Sequence, residues 1–163
     1  MKVIQFKEPD DKMETSMSKA LSESDYDIIE QKKMLNKYYL DMPFSLSKQL
    51  DKAINVKLCG YKQQDKNNLI YGPNHFINKQ QLVQKLVESK LQCFYCNTNL
   101  ALFYRKMKQD NQWTLDRIDN YMGHNYNNVL ISCLKCNLQR GNINKDKFLF
   151  TKEMVIHKQD DDM

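Results

Sequence analysis

Two Cys-x-x-Cys pairs, Cys93-Phe-Tyr-Cys96 and Cys133-Leu-Lys-Cys136, constrain this chain more than any other feature. A tight turn points both sulfurs of each pair the same way. Zinc takes four such ligands tetrahedrally, at ~2.3 Å from sulfur. The two pairs, 36 residues apart, can therefore close one all-cysteine site over Cys93, Cys96, Cys133 and Cys136. A closed site keeps no position for water or substrate, so the zinc it holds is structural. The alternatives are a redox pair or two disulfides. A redox pair needs no duplicate, and a chain without a secretion signal points to a reducing compartment, which favours metal. The fifth cysteine, Cys59, reads as a small buried apolar residue.

The hydrophobic fraction is 41%, enough for a globular core but a small one, so metal would supply much of the folding free energy around the cysteines. No apolar run approaches ~18 residues, and the N-terminus MKVIQFKEPDDKME lacks an apolar signal region. The expectation is an intracellular protein, cytoplasmic or nuclear, without a membrane span.

Along the chain, residues 1–17 are polar and aperiodic and are expected to fray. Ser22 or Ser24 caps a helix whose stripe is Leu21, Ile28, Met34, Leu35 and Tyr38, and Pro43 ends it. A shorter helix fits 45–55 through Leu46, Leu50, Ala53 and Ile54, with Gly60 as a stop and 61–77 as a connector. These helices read as a packing appendage, or as a surface for a protein partner or self-association. Asn78 and Gln81 form a capping box for a third helix that buries Leu82, Val83, Leu86 and Val87. Residues 99–105 read as extended. Two strands follow, broken at Gly123, and then a helix from about Leu134. A last helix is expected over Lys145 to His157, with Phe148, Leu149, Met154 and Val155 facing the core. Trp113 reads as core. The fold class is α+β, with a helical region over 1–77, a zinc-bound unit over 78–157 and an acidic tail over 158–163.

Charge follows the same division. Residues 1–78 carry a net +1, residues 79–152 a net +7 and residues 153–163 a net −3. The positive charge sits with the cysteines, which fits a phosphate-rich partner.

Asp116-Arg-Ile-Asp119, Gly123-His124, Asn128-Val129 and Cys133-Leu-Lys-Cys136-Asn137 together resemble the HNH endonuclease family, the zinc-bound ββα-metal or His-Me finger type, in its Asp-Arg-Ile-Asp variant. The resemblance covers roughly Cys93 to Gly141. It implies a strand–strand–helix finger that clamps one divalent ion, Mg²⁺ or Mn²⁺, beside a scissile phosphate. Asp116 and Asn137 match the positions that hold this ion, and hard cations take oxygen ligands of this kind. Alone, Asp116 would read as a solvated strand carboxylate and Asn137 as a helix cap. Asn128 matches the family's middle asparagine, whose implied role is to hydrogen-bond across the loop and hold the first strand.

The departure from the family's commonest pattern is Arg117, which stands where a general-base histidine usually follows the aspartate. A guanidinium cannot accept a proton, although it binds phosphate bidentately. The base is left open between His124, whose ordinary pKa suits the task, Asp119, and a metal-bound water that gives its proton to solvent or phosphate. The other readings are a loop-stabilising hydrogen bond for His124 and a pair with Arg117 or a turn cap for Asp119. Arg140 lies one helical turn beyond Asn137 and is expected to reach a phosphate; Lys135 and Lys145 are weaker candidates.

The functional expectation is a metal-dependent endonuclease acting on nucleic acid, DNA first. The alternatives are a zinc-stabilised nucleic-acid-binding module without effective catalysis, and a partner-binding zinc domain, which the net +7 region disfavours.

Overall fold

Asp27 starts the first helix. Its Oδ1 accepts from the backbone N–H groups of Ile29 and Glu30 at 2.9 and 3.0 Å, satisfying donors that a helix start leaves unpaired. Helix α1 then runs Ile28–Tyr39. Ser22, expected to cap this helix, instead opens a 3₁₀ turn over Glu23–Tyr26, where its N–H donates to Asp25 at 2.8 Å. The computed structural model describes residues 21–154. The expectations for residues 1–17, for Val155 to His157 and for the acidic tail lie outside the described residues.

Helix α2 spans Ser47–Asn67, not 45–55. Gly60 does not stop it, and a Cβ there would meet nothing within 4 Å. A mid-helix glycine costs only ~1 kcal/mol relative to alanine, while Leu50, Ile54, Leu58, Tyr61 and Asp65 continue one inward face at spacings of three and four. Leu50, Ile54 and Asp65 are fully buried. Cys59 falls on the opposite face and is exposed, contrary to the expectation of burial.

Helix α3, Lys79–Glu88, carries the expected capping box. Asn78 Oδ1 accepts from Gln81 N at 2.9 Å, and Gln81 Oε1 accepts from Asn78 N at 3.0 Å. Leu82, Val83 and Leu86 are buried, and Val87 packs at the edge of the same core. Residues 99–105 form no regular strand; isolated bridges join Gln92 to Asn99 and Ala101 to Gln112. The buried side chain of Gln31 takes the place of a strand partner here. Its Oε1 accepts from Leu102 N and Phe103 N at 2.7 and 3.2 Å, and its Nε2 donates to Phe103 O at 3.1 Å.

Strands β1 (Trp113–Arg117) and β2 (Val129–Cys133) pair antiparallel, with Trp113 opposite Cys133, Asp116 opposite Leu130 and Arg117 opposite Val129. Helix α4 follows directly over Leu134–Arg140. Helix α5 covers Lys145–Glu153, shorter than expected; Phe148 is buried, Leu149 is partly buried and Met154 is exposed. Among the described residues the fold is mixed α/β, with five helices and one two-stranded sheet.

One hydrophobic cluster joins Leu35 of α1, Leu50 and Ile54 of α2 and Leu86 of α3 to Trp113, Leu115, Ile131, Cys133 and Phe148. The N-terminal helices thus share a core with the cysteine-bearing half. No described helix is long and apolar enough to cross a membrane.

Candidate active site and cysteine cluster

The sulfurs of Cys93, Cys96, Cys133 and Cys136 all lie within 4.8 Å of one another, with Cys96 and Cys133 at 3.9 Å. Four sulfurs ~2.3 Å from one tetrahedral zinc sit about 3.8 Å apart, so the spacing suits a shared ion, and it is far beyond a disulfide bond. The cluster could therefore hold a metal such as zinc. Local structure fixes the donors. Cys133 ends β2 and caps α4, its sulfur accepting from Cys136 N at 3.3 Å. On the other side Asn97, at φ 57°, turns the chain, and its N–H donates to Cys93 O at 3.0 Å. The thiols oppose one another's ionisation. A hydrogen bond with Cys133 draws the Cys93 thiol down to about 4, the same bond and then burial push Cys133 up, and burial pushes Cys136 up to about 12. A metal would take these sulfurs as thiolates, so binding it releases their protons.

Asp116 is inside the protein, with 3% of its surface exposed. Arg140, 2% exposed, grips it with two hydrogen bonds, Nε to Oδ2 at 2.7 Å and Nη2 to Oδ1 at 2.8 Å. The same guanidinium donates to the carbonyls of Arg117 and Ile143. Tyr95 donates its hydroxyl to Asp116 Oδ2 at 2.6 Å. Burial, with the Asp116 carboxylate beside it, pushes the Tyr95 phenol up, so it stays a donor. Arg140, expected to reach a phosphate, is buried and engaged with Asp116. One turn past Asn137 points it back over β1 onto Asp116, with Nε, Nη1 and Nη2 each donating to a protein acceptor.

Asp116 nevertheless lines a cleft of about 390 Å³ shared with Tyr61, Gln64, Arg117, Asn120, His124, Asn137 and Asn142. Oδ2 of Asp116 takes two hydrogen bonds and Oδ1 only one among the described residues, so Oδ1 keeps a lone pair. Asn137 donates its amide N–H₂ to Thr114 Oγ1 at 3.1 Å and to Leu115 O at 3.3 Å. Its Oδ1 accepts no hydrogen bond among the described residues. Arg117 is half-buried and makes only long bonds there, to Asn120 O at 3.3 Å and Met122 O at 3.4 Å.

His124 is 2% exposed and lines the same cleft. Its Nδ1 lies 2.6 Å from Asp65 Oδ1, and its backbone N–H donates to Asp65 Oδ2 at 2.6 Å. Its carbonyl accepts from Ile77 N at 2.9 Å. The ring packs on Tyr61 with centroids 4.6 Å apart. Burial lowers the His124 pKa from its ordinary value, outweighing the opposing pull of Asp65. Burial pushes the Tyr61 phenol up; its oxygen accepts from Leu115 N at 3.0 Å. Gly123 is required beside this pair, since a Cβ there would sit 2.7 Å from both Asp65 Oδ2 and Ile70 O.

Asp119 lies past the end of β1, is exposed and accepts from Tyr121 N at 2.9 Å, closing a turn. It lines a neighbouring groove, not the His124 cleft. Asn128 ties this turn together. Its Oδ1 accepts from Asp119 N at 2.9 Å, and its Nδ2 donates to Asp119 O and Gly123 O at 2.9 and 3.0 Å. Lys135 is exposed on α4, and Lys145 lies 3.4 Å from Asp146. Trp113 is core, as expected, with Lys57 over its ring at 4.4 Å.

Sequence reasoning missed Asp65 and Tyr61. The signal that carried them was the inward stripe of α2, which continues at spacings of three and four through Tyr61 to Asp65 once Gly60 is passed. No family model, curated protein or solved structure matches the chain.

Proposed function

We propose that the chain is a metal-dependent endonuclease of the HNH type that hydrolyses nucleic-acid phosphodiesters, DNA first. The observation that carries this reading is one cleft lined by a buried histidine, an arginine with spare donors, and the oxygens of Asp116 and Asn137. In this reading the four cysteines hold structural zinc and stiffen the β1–β2–α4 finger at the junction of β2 and α4. Asp116 Oδ1 and Asn137 Oδ1 are hard donors and suit Mg²⁺ or Mn²⁺. Such an ion, when bound, neutralises charge on the phosphate and on the leaving oxygen.

The residues have separable tasks. His124 accepts the proton of the attacking water as its oxygen bonds to phosphorus, and the phosphorus–oxygen bond to the leaving group breaks. Its lowered pKa keeps the ring able to accept at neutral pH. Arg117 holds a non-bridging phosphate oxygen. Arg140 and Tyr95 orient Asp116. The net +7 of residues 79–152 draws the polyanion to this half.

A second reading is a zinc-stabilised nucleic-acid-binding module. The Asp116–Arg140 pair favours it, because a carboxylate already paired with guanidinium gains less from a cation. Purified full chain on supercoiled plasmid, with and without Mg²⁺ or Mn²⁺, separates the two. Divalent-dependent nicking supports the nuclease; DNA binding without nicking supports the module.

A further inference from the structure

We infer that Asp65 is a positioning residue that fixes the tautomer of His124, and that helix α2 is thereby part of the reaction centre. The inference rests on the nuclease reading. A carboxylate only accepts hydrogen bonds. Asp65 Oδ1 therefore faces a proton on His124 Nδ1, 2.6 Å away. Nε2 is then the nitrogen without a proton, which is the form a general base needs.

Four observations make this a built arrangement. Asp65 uses its second oxygen on the His124 backbone N–H at 2.6 Å, so main chain and ring are clamped by one carboxylate. Both side chains are almost wholly buried, at 3% and 0% exposure for His124 and Asp65. Tyr61, one turn earlier on α2, lies against the imidazole, so the ring is held by its face as well as its edge. Gly123 allows Asp65 this close, since any side chain there would meet it.

Asp65→Asn gives a test specific to the tautomer. The backbone N–H of His124 needs an acceptor, so the oxygen of the introduced amide would turn toward it. The amide N–H₂ would then face Nδ1 and donate. The imidazole proton would move to Nε2, and the ring would lose its basic nitrogen toward the cleft. Volume and fold change little.

The experiment is long-range ¹H–¹⁵N correlation of the full, zinc-loaded chain, with His124 assigned against the spectrum of His124→Ala. The parent should show a protonated Nδ1 and an unprotonated Nε2, and Asp65→Asn should show the reverse. Plasmid cleavage by Asp65→Asn should lose kcat by ~10²–10⁴-fold, as for a displaced general base, with KM changed less than a few-fold. A parent ring protonated on Nε2, or an Asp65→Asn chain with parental tautomer and kcat, overturns the inference. If Asp65→Asn does not fold, the parent spectrum decides. If the parent cuts nothing, the nuclease reading fails, while the two spectra still decide whether Asp65 sets the tautomer.

Discussion

The guanidinium of Arg140 holds the carboxylate of Asp116 through two hydrogen bonds, at 2.7 and 2.8 Å, and both side chains are almost wholly buried. The pair links the last turn of α4 to the end of β1 and fixes Asp116 where it lines the cleft. It also means that neither residue can be removed as an isolated event.

Arg140→Ala should destabilise the fold by about 3–5 kcal/mol, because it strands the Asp116 charge in the interior. Arg140→Lys should recover little, since an ammonium cannot reproduce the two-pronged contact and the bonds to the carbonyls of Arg117 and Ile143. Urea denaturation followed by circular dichroism measures both. A loss below about 1 kcal/mol for Arg140→Ala, the scale of a single ordinary hydrogen bond, would show that the pair does not hold the fold.

Asp116→Ala is expected to cost stability for the converse reason, so its loss of cleavage would not identify a cation ligand. Asn137→Ala is the cleaner variant. It removes two hydrogen bonds to β1, worth ~1 kcal/mol each, and an oxygen donor. Divalent-dependent cleavage should fall at least tenfold while zinc content stays at the parental value. Parental cleavage at low Mg²⁺ would remove Asn137 from the proposed site.

The cysteine cluster predicts about one zinc per chain by elemental analysis. Cys133→Ser should lose it together with the β1–β2–α4 packing, because Cys133 serves both the cluster and the cap of α4. Full native spectra in a metal-free chain would contradict this.

Gly123→Ala should cost ~1–3 kcal/mol, since its Cβ would overlap Asp65 Oδ2 and Ile70 O at 2.7 Å. Its distinguishing signature is the His124 ring resonance, which should shift as Asp65 is displaced. Thermal melts and the same ¹⁵N spectra test it; an unchanged His124 signal would show that the clamp tolerates the methyl.

Stability should also fall on acidification through His124. Burial lowers its folded pKa from the ordinary value of 6.5. As the pH drops past that ordinary value, the unfolded chain binds a proton that the folded chain resists, so the unfolded state gains. This contribution is fully present above the unfolded pKa and is lost as the pH falls through the folded one. His124→Gln should flatten the acid side of the stability curve; an unchanged slope would mean that the folded His124 titrates at its ordinary value.

The local parts of this molecule were legible in the sequence. Cys-x-x-Cys spacing and the Asn78–Gln81 box act within a few residues, so they can be read directly. The cross-loop hydrogen bonding expected of Asn128 is present. What escaped depended on distant contacts. Gly60 was read as a stop because local propensity says so, and packing of the Leu50–Asp65 face overrode it. Asp65 meets His124 across 59 residues, which no local pattern encodes. Arg140 sits at the right spacing to face solvent or β1, and only the fold selects between them.

The most direct test of the central claim is the ratio of initial plasmid-nicking rates for the parent and His124→Ala, measured in Mg²⁺ at equal zinc content. The proposed function expects nicking by the parent that EDTA in excess over Mg²⁺ abolishes, and a ratio on the order of 10²–10⁴. A ratio within a few-fold would exclude His124 as the base, and no nicking of DNA or RNA by the parent in Mg²⁺, Mn²⁺ or Ni²⁺ would contradict the nuclease assignment in favour of a binding module.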